Sequence, residues 1–270
     1  MKMLEKLIDI VVKASSEILD VYGTAFEVKT KSDESPLTEA DLRAHRIIVN
    51  GLADIDSTIP VISEESDAPS FNVRKRWRRY WLVDPLDGTR EFVNRNGEFT
   101  VNIALIEANE PTLGIVGAPV RGDLYVGDVK KCEAFRIVGS SREPITTRKL
   151  GKDGITVVTS RSHGGERLET FLESLVPVFG RVDRTAMGSS LKLCLLAEGL
   201  ADFYPRLGPT SEWDIAAAQA VLQAAGGSVL QWDGSPLTYN SKASLLNPDF
   251  MAVGDSSLDW PDLLKPKSGI

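Results

Sequence analysis

The stretch WLVDPLDGTREF, residues 81–92, places two carboxylates, Asp84 and Asp87, at the end of an apolar run that breaks at Gly88. Ionised carboxylates are costly to withdraw from water, and like charges this close add to the cost. No Lys or Arg lies between Trp81 and Thr89, so a local salt bridge would have to start from Arg90 or come from elsewhere in the chain. A bound metal ion is the simpler compensation.

The rest of the chain limits which ion that is. His45 and His163, with Cys132 and Cys194, are too few and too scattered for a zinc site of imidazoles and thiolates, so a metal here is held by oxygen. Without a C-x-x-C pair, the two cysteines are expected to be buried free thiols in a reducing compartment. With 270 residues, 42% apolar and 26% charged, the chain suits one large or two smaller soluble domains. The N-terminal MKMLEKLIDIVVKASSEILDVYG is interrupted by Glu5, Lys6, Asp9, Lys13 and Glu17. Leu4, Leu7, Ile8, Val11, Val12, Ile18 and Leu19 instead recur at helical spacing. No stretch reaches the roughly 18 apolar residues of a membrane span, and a cytoplasmic protein is expected. A peripheral association with the inner face of the membrane would leave no trace in such a sequence. A net charge of −7 disfavours nucleic acid as a partner. The basic run RKRWRRYW, residues 74–81, is expected to be a solvated lead-in to the strand.

Thr38 opens a helix running to about Ile55, with Leu42, Ile47, Ile48 and Leu52 facing inward. The strand-like segments IPVIS, YWLVD, FTVNIALIE, TLGIVGAPV, LYVGDV and AFRIV then follow, separated by turn residues. They predict an α+β arrangement around a mostly antiparallel sheet. From residue 155 strands and helices alternate: strand 155–160, helix 166–176, strand 180–185, helix 189–199, strand ADFYPRL and helix DIAAAQAVLQAAGG. The boundary is placed within residues 139–152, rich in Gly, Ser, Arg and Lys.

Five acids stand at strand ends or helix starts: Asp41, Glu64, Asp84, Asp87 and Asp214. Thr38 to Asp41 and Ser211 to Asp214 both fit the [ST]-x-x-[DE] capping box, so either acid can simply cap its helix. Glu64 with Glu65 can be a solvated strand end, and Asp87-Gly88 an ordinary turn. Together, however, they form the oxygen-rich set that Mg²⁺ prefers, and Asp84, Asp87 and the Leu86 carbonyl can surround one point. Gly88 and Thr89 begin a helix whose free N–H groups suit a phosphate. No phosphate loop, dinucleotide fingerprint, nucleophile elbow or zinc-protease motif is present; the nearest glycine pair, Gly122 and Gly127, is followed by Asp128 and Val129.

The ordered set of an acid, EE, DPLDGT and WDIAAA resembles the lithium-sensitive, magnesium-dependent phosphatase superfamily of inositol monophosphatases, fructose bisphosphatases and bisphosphate nucleotidases. Within it, DPLDGTREFVNRNGEFTVNIALIE and GSSLKLCLLAEGLADFYPRLGPTSEWDIAAAQAV are similar to the bacterial 3'(2'),5'-bisphosphate nucleotidases, over about Leu37 to Val253. The resemblance implies a layered α-β-α-β-α sandwich. Its N-terminal α+β domain, 1–145, carries the carboxylates, and its C-terminal α/β domain, 146–270, carries the nucleotide-binding residues. It also implies that Glu64, Asp84 and the Leu86 carbonyl hold one Mg²⁺ and that Asp84, Asp87 and Asp214 hold a second, with a weaker third near Glu64. Asp41 and Thr89 would orient and deprotonate the attacking water. Ser189, Lys192 and Arg206 would contact the nucleotide, and His163 would lie against its adenine. From the residues alone, the last four are equally a helix start, a solvated helix face, a strand-end charge and a loop histidine.

The implied reaction is hydrolysis of 3'-phosphoadenosine 5'-phosphate to AMP, with 3'-phosphoadenosine 5'-phosphosulfate as a second substrate, in sulfur assimilation. The alternatives are an inositol monophosphatase-like enzyme and a noncatalytic metal- or nucleotide-binding protein. The expected partner is a small-molecule nucleotide, and the chain is expected as a monomer or homodimer.

Overall fold

The computed structural model describes residues 2–30, 36–161 and 165–265. Helix α1 (Met3–Tyr22) leads through the two-residue strands β1 (Lys29–Thr30) and β2 (Pro36–Leu37) to helix α2 (Glu39–Asp56). Both helices are amphipathic: α1 buries Leu7, Ile10, Val11, Ala14, Ile18 and Val21, and α2 buries Ala40, Ala44, Ile48 and Leu52. The inward faces are rotated from those expected, since Val12 is 49% and Leu19 37% exposed while Leu42 and Ile47 are half-buried. Alanines at 14, 40 and 44 take buried positions and shift the apolar stripe toward themselves.

A seven-stranded sheet follows, with β3 (Val61–Ser63), β4 (Arg79–Asp87), β5 (Thr100–Glu107), β6 (Glu110–Ala118), β7 (Asp123–Asp128), β8 (Glu133–Val138) and β9 (Ser141–Pro144) in that spatial order. Only β3 and β4 are parallel; each later neighbour is antiparallel. Short helices α3 (Phe71–Arg74) and α4 (Thr89–Val93) flank β4. Side chains alternate across the sheet: Trp81, Val83, Ile103, Leu105 and Ile115 pack with α1 and α2, while Tyr80, Leu82, Ala104, Ile106 and Val116 face the opposite way. Strand β9 occupies part of the segment expected as a boundary, and residues 145–154 then pass to the second sheet without helix or strand.

That sheet contains β10 (Ile155–Ser160), β11 (Val182–Met187), β12 (Phe203–Arg206), β13 (Ser228–Gln231) and β14 (Phe250–Val253), in the order β11-β10-β12-β14-β13. Its helices are α5 (Glu166–Phe179), α6 (Leu191–Ala197), α7 (Glu212–Ala224) and α8 (Trp260–Leu263). The alternation of strand and helix gives parallel pairing of β10 with β11 and β12, but β14 is antiparallel to both β12 and β13, so the sheet is mixed.

The core clusters define the layers. Helices α6 and α7 lie between the two sheets, packed with residues of both, and α5 and α8 cover the outer face of the second sheet through Leu168, Leu172, Leu175 and Trp260. The result is the expected α-β-α-β-α sandwich. Helix α7 is buried from Ile215 to Leu222, where its one polar side chain, Gln219, accepts the Tyr239 hydroxyl at 2.7 Å. It approaches so closely because the strands opposite it carry glycine. A Cβ on Gly114 would lie 2.1 Å from Ala217 O, and one on Gly127 2.4 Å from Val221 Cα.

Two sequence expectations are corrected here. Cys194 is a buried free thiol, but Cys132 is exposed, in a left-handed turn (φ 54°) just after Lys130 and Lys131. Arg74, the first residue of the basic run, is 2% exposed and not solvated, because its guanidinium donates to Asn240 Oδ1 and Ala243 O. No helix among the described residues is long and apolar enough to cross a membrane.

Candidate active site

Ser63 and Val83 are register partners in the parallel β3–β4 pair, so Glu64 and Asp84 leave the sheet side by side. The Glu64 N–H donates to Val83 O at 3.1 Å. A register shift between Asp84 and Asp87 breaks the β4–β5 ladder, at the point where Pro85 has no N–H to give. Asp84 Oδ1 instead accepts the Leu86 N–H at 3.0 Å, which fixes the turn. Gly88 then adopts a left-handed conformation (φ 89°), and Thr89 starts α4. At five residues α4 contributes little dipole; what it supplies is the side chain of Thr89.

Asp41 joins from α2. Its Oδ2 accepts the Thr38 N–H at 2.8 Å and the Thr38 hydroxyl at 2.6 Å, completing a capping box. Its Oδ1 lies 3.4 Å from the Thr89 hydroxyl, which is also 3.3 Å from Leu86 O. The capping and catalytic readings of Asp41 are therefore compatible, one oxygen each. Asp214 sits in the same N3 position of α7, where its Oδ2 accepts the Ser211 N–H at 2.9 Å.

Asp87 is held from the far side by the turn before α6. Its Oδ2 accepts the Ser190 N–H at 2.6 Å, with Thr100 Oγ1 and Asn102 Nδ2 each at 3.4 Å. Ser189 reaches this turn with φ 45°, and its buried Oγ has no hydrogen-bond partner among the described residues. One turn into the helix, Lys192 is buried, donates to Ser189 O at 2.5 Å and stands 5.5 Å over the Tyr204 ring. Arg206, also buried, donates to Gly208 O at 3.1 Å and Pro209 O at 2.6 Å.

Of the expected site residues described, all except Asp41 line one cleft of about 260 Å³: Glu64, Asp84, Leu86, Asp87, Gly88, Thr89 and Asp214 together with Ser189, Lys192 and Arg206. Residues 162–164 lie outside the described residues, and the His163 expectation lies there too. Reasoning from sequence missed Glu91, Tyr204 and Thr210, which also line the cleft. Tyr204 stands two residues before Arg206 on β12 and Glu91 four after Asp87, spacings that would have flagged them once those partners were chosen.

The electrostatics show how far the acids are from their ordinary state. Burial and the nearby Glu64, Asp87 and Asp214 push the Asp84 carboxyl well above the usual carboxylate range, and a hydrogen bond with Glu64 adds to this. Burial likewise raises Asp214, with Asp87 and Glu64 adding to it and the Ser211 N–H opposing. Asp87 is pushed up to about 6 by burial, restrained by Lys192 and the Ser190 N–H. Asp87 and Asp214 nonetheless keep some surface open, while Asp84 is 1% exposed. Lys192 moves the other way, down to about 8, because burial disfavours its ammonium despite the field of Asp87. Among the described residues, no three His, Cys, Asp or Glu side chains converge into a set that could hold an ion. Coulomb repulsion opposes convergence of carboxylates this close. The donor chemistry still suits a hard dication: oxygen atoms only, with excess negative charge that a cation would relieve.

Two sheets enclosing buried helices, with an acid-lined cleft where the ends of β4 and β12 meet α4, α6 and α7, define a class, the inositol monophosphatase family. Its model matches residues 1–255, and the chain belongs to it. The 3'(2'),5'-bisphosphate nucleotidase CysQ of Escherichia coli (strain K12) is 46% identical over 250 residues, 92% of this chain and 98% of the relative. The enzyme of the same name from Haemophilus influenzae is 33% identical, covering 97% of each chain. The crystal structure of CysQ from Bacteroides thetaiotaomicron, a bacterial member of the inositol monophosphatase family, matches with a TM-score of 0.82 at 39% identity, over 93% of this chain and 96% of that one.

Proposed function

We propose that the chain is a Mg²⁺-dependent 3'(2'),5'-bisphosphate nucleotidase that hydrolyses 3'-phosphoadenosine 5'-phosphate to AMP, with 3'-phosphoadenosine 5'-phosphosulfate as a second substrate, in sulfur assimilation. The observation that carries this reading is a single cleft uniting the buried Asp84 and the half-buried Asp87 and Asp214, all three with raised carboxyl pKa, with the buried cations Lys192 and Arg206. Glu64, Asp84 and the Leu86 carbonyl would hold one ion, and Asp84, Asp87 and Asp214 another, with a weaker third near Glu64. When bound, the ions supply charge neutralisation for the phosphoryl group and Lewis-acid activation of water.

The chain's own groups do the rest. The Thr89 hydroxyl, within reach of Asp41 Oδ1, accepts a proton from the attacking water as it passes its own to that carboxylate. Water attacks the 3'-phosphorus, the P–O3' bond breaks, and O3' takes a proton from solvent in the open cleft to leave as a hydroxyl, while Asp41 returns to solvent the proton it received. Gly88 and Thr89 line the cleft on the phosphate side. Lys192 and Arg206 bind the 5'-phosphate, and the tethering of Arg206 to Gly208 O and Pro209 O pre-orients its fork. The unpartnered Ser189 hydroxyl offers a further contact, and His163 one for the adenine. The working form is a monomer or homodimer.

Phosphate release from adenosine 3',5'-bisphosphate, inositol monophosphate and a small monoester tests the reading. Lys192→Ala and Arg206→Ala are expected to raise KM for the bisphosphate about tenfold or more, the worth of one charge-assisted contact, and barely affect the small monoester. Equal losses on both, or faster wild-type turnover of inositol monophosphate, would move the chain to the inositol phosphatase reading.

A further inference from the structure

Next to Asp214 at the start of α7, a buried polar chain joins the two halves of the sequence. Arg74, at the end of α3, donates to Asn240 Oδ1 and to Ala243 O. Asn240 returns its Nδ2 to Arg74 O at 2.7 Å and gives its backbone N–H to both Glu212 oxygens, at 3.0 and 2.9 Å. Glu212 is the first residue of α7, two before Asp214. Arg74, Asn240 and Glu212 are 2%, 2% and 1% exposed.

The same loop grips the start of α7 from the other end. The Glu212 N–H donates to Leu245 O at 2.8 Å, and Asn247 donates through its N–H to Thr210 O and through Nδ2 to Ser211 O, both at 2.8 Å. The first turn of α7 is thus fixed against the segment before β4, the strand that carries Asp84 and Asp87. Nothing in the reaction needs a fully buried arginine there, and burying one is costly unless its bonds serve a purpose.

We infer that Arg74 and Asn240 are positioning residues, which act through Glu212 to hold Asp214 at a fixed distance from Asp84 and Asp87 and so set the affinity of the ion those three carboxylates share. This rests on the metal-dependent reading above and gives Arg74, the first residue of the basic run, a role other than the solvated lead-in expected of it. A carboxylate that drifts by a fraction of an ångström weakens a small, geometrically demanding ion such as Mg²⁺ more than it weakens the binding of a nucleotide.

The test is calorimetric titration of Mg²⁺ into the full chain without nucleotide, beside steady-state kinetics at saturating metal. Asn240→Gly is the principal variant, because glycine keeps the left-handed backbone (φ 52°) and its N–H to Glu212 while removing the side chain that ties this loop to Arg74. Arg74→Met reaches the same chain from its other end, and Lys75→Ala, exposed in the same run, is the control. The expected result is a Mg²⁺ Kd raised about tenfold in Asn240→Gly, with nucleotide KM at saturating metal nearly unchanged and Lys75→Ala like wild type. Should Arg74→Met fail to fold, Asn240→Gly decides. Variants that bind Mg²⁺ as the wild type does overturn the inference alone, and a wild-type chain that binds no Mg²⁺ overturns the nucleotidase reading with it. A preference for a different phosphate ester, with metal affinity still lost in Asn240→Gly, overturns the substrate and leaves the inference standing.

Discussion

Oδ2 of Asp41 takes both donors of Thr38, while Oδ1 is left to Thr89. An asparagine at this N3 position still offers its amide oxygen to the Thr38 donors of the capping box but cannot hold the proton that Thr89 passes on. Asp41→Asn should therefore keep thermal stability within about 1 kcal/mol and lower kcat by about 10²–10⁴-fold. Melting curves beside kinetics check this, and an unchanged rate would return Asp41 to a purely structural role. Asp84→Asn separates function from stability more sharply. It should abolish most turnover, yet in chelator it should melt above wild type, by about 2–4 °C for each kcal/mol of repulsion relieved, because the amide retains the acceptor for Leu86 N–H and removes a buried like charge. A chelated variant that melts below wild type would show that the buried acids do not repel as described. At this scale the carboxylates were legible because the turn that bears Asp84 and Asp87 is local. Tyr204 and Glu91 were not, since only the folded cleft brings them in. Arg74 misled because five basic residues in six resemble a solvated face, and nothing nearby in sequence announces Asn240.

At the scale of elements, the contact of α7 with β6 and β7 depends on glycine. Gly114→Ala would press a methyl group to within 2.1 Å of Ala217 O and 2.8 Å of Ala220 Cβ, so the helix must move. The expected cost is about 1–3 kcal/mol, read as a lower urea midpoint with an unchanged slope. The junction of β14 with α8 carries a different signature. Burial alone would raise the Asp255 carboxyl, but bonds from Ser257, Lys149 and the Leu150 N–H outweigh it and hold the group well below the usual carboxylate range. A depressed folded-state pKa stabilises above the unfolded value of 3.8 and loses that contribution as pH falls below it. Acid should thus lower the melting midpoint of the wild type, and Asp255→Asn should flatten that slope; equal slopes would remove Asp255 from the account. The elements themselves were largely legible from periodicity and turns. What escaped were β13, β14 and α8, which follow the last helix read from the sequence, and with them the direction of pairing: β14 comes after a long irregular segment, and no local pattern says that it runs antiparallel. Helix α6 also starts later than expected, at Leu191, because Ser189 and Ser190 are spent on the turn that holds Asp87.

For the molecule as a whole, the layered order matters more than any one contact. The two sheets share a core in which α6 and α7 lie between them, and α7 is buried over most of its length. A helix buried on nearly every side cannot settle on one sheet while the other is absent. Asp214, the ligand proposed from α7, is therefore in place only when that helix lies between both sheets. On the proposed reading a chain with one sheet formed would carry carboxylates but no complete centre, so that catalysis reports on the closed sandwich.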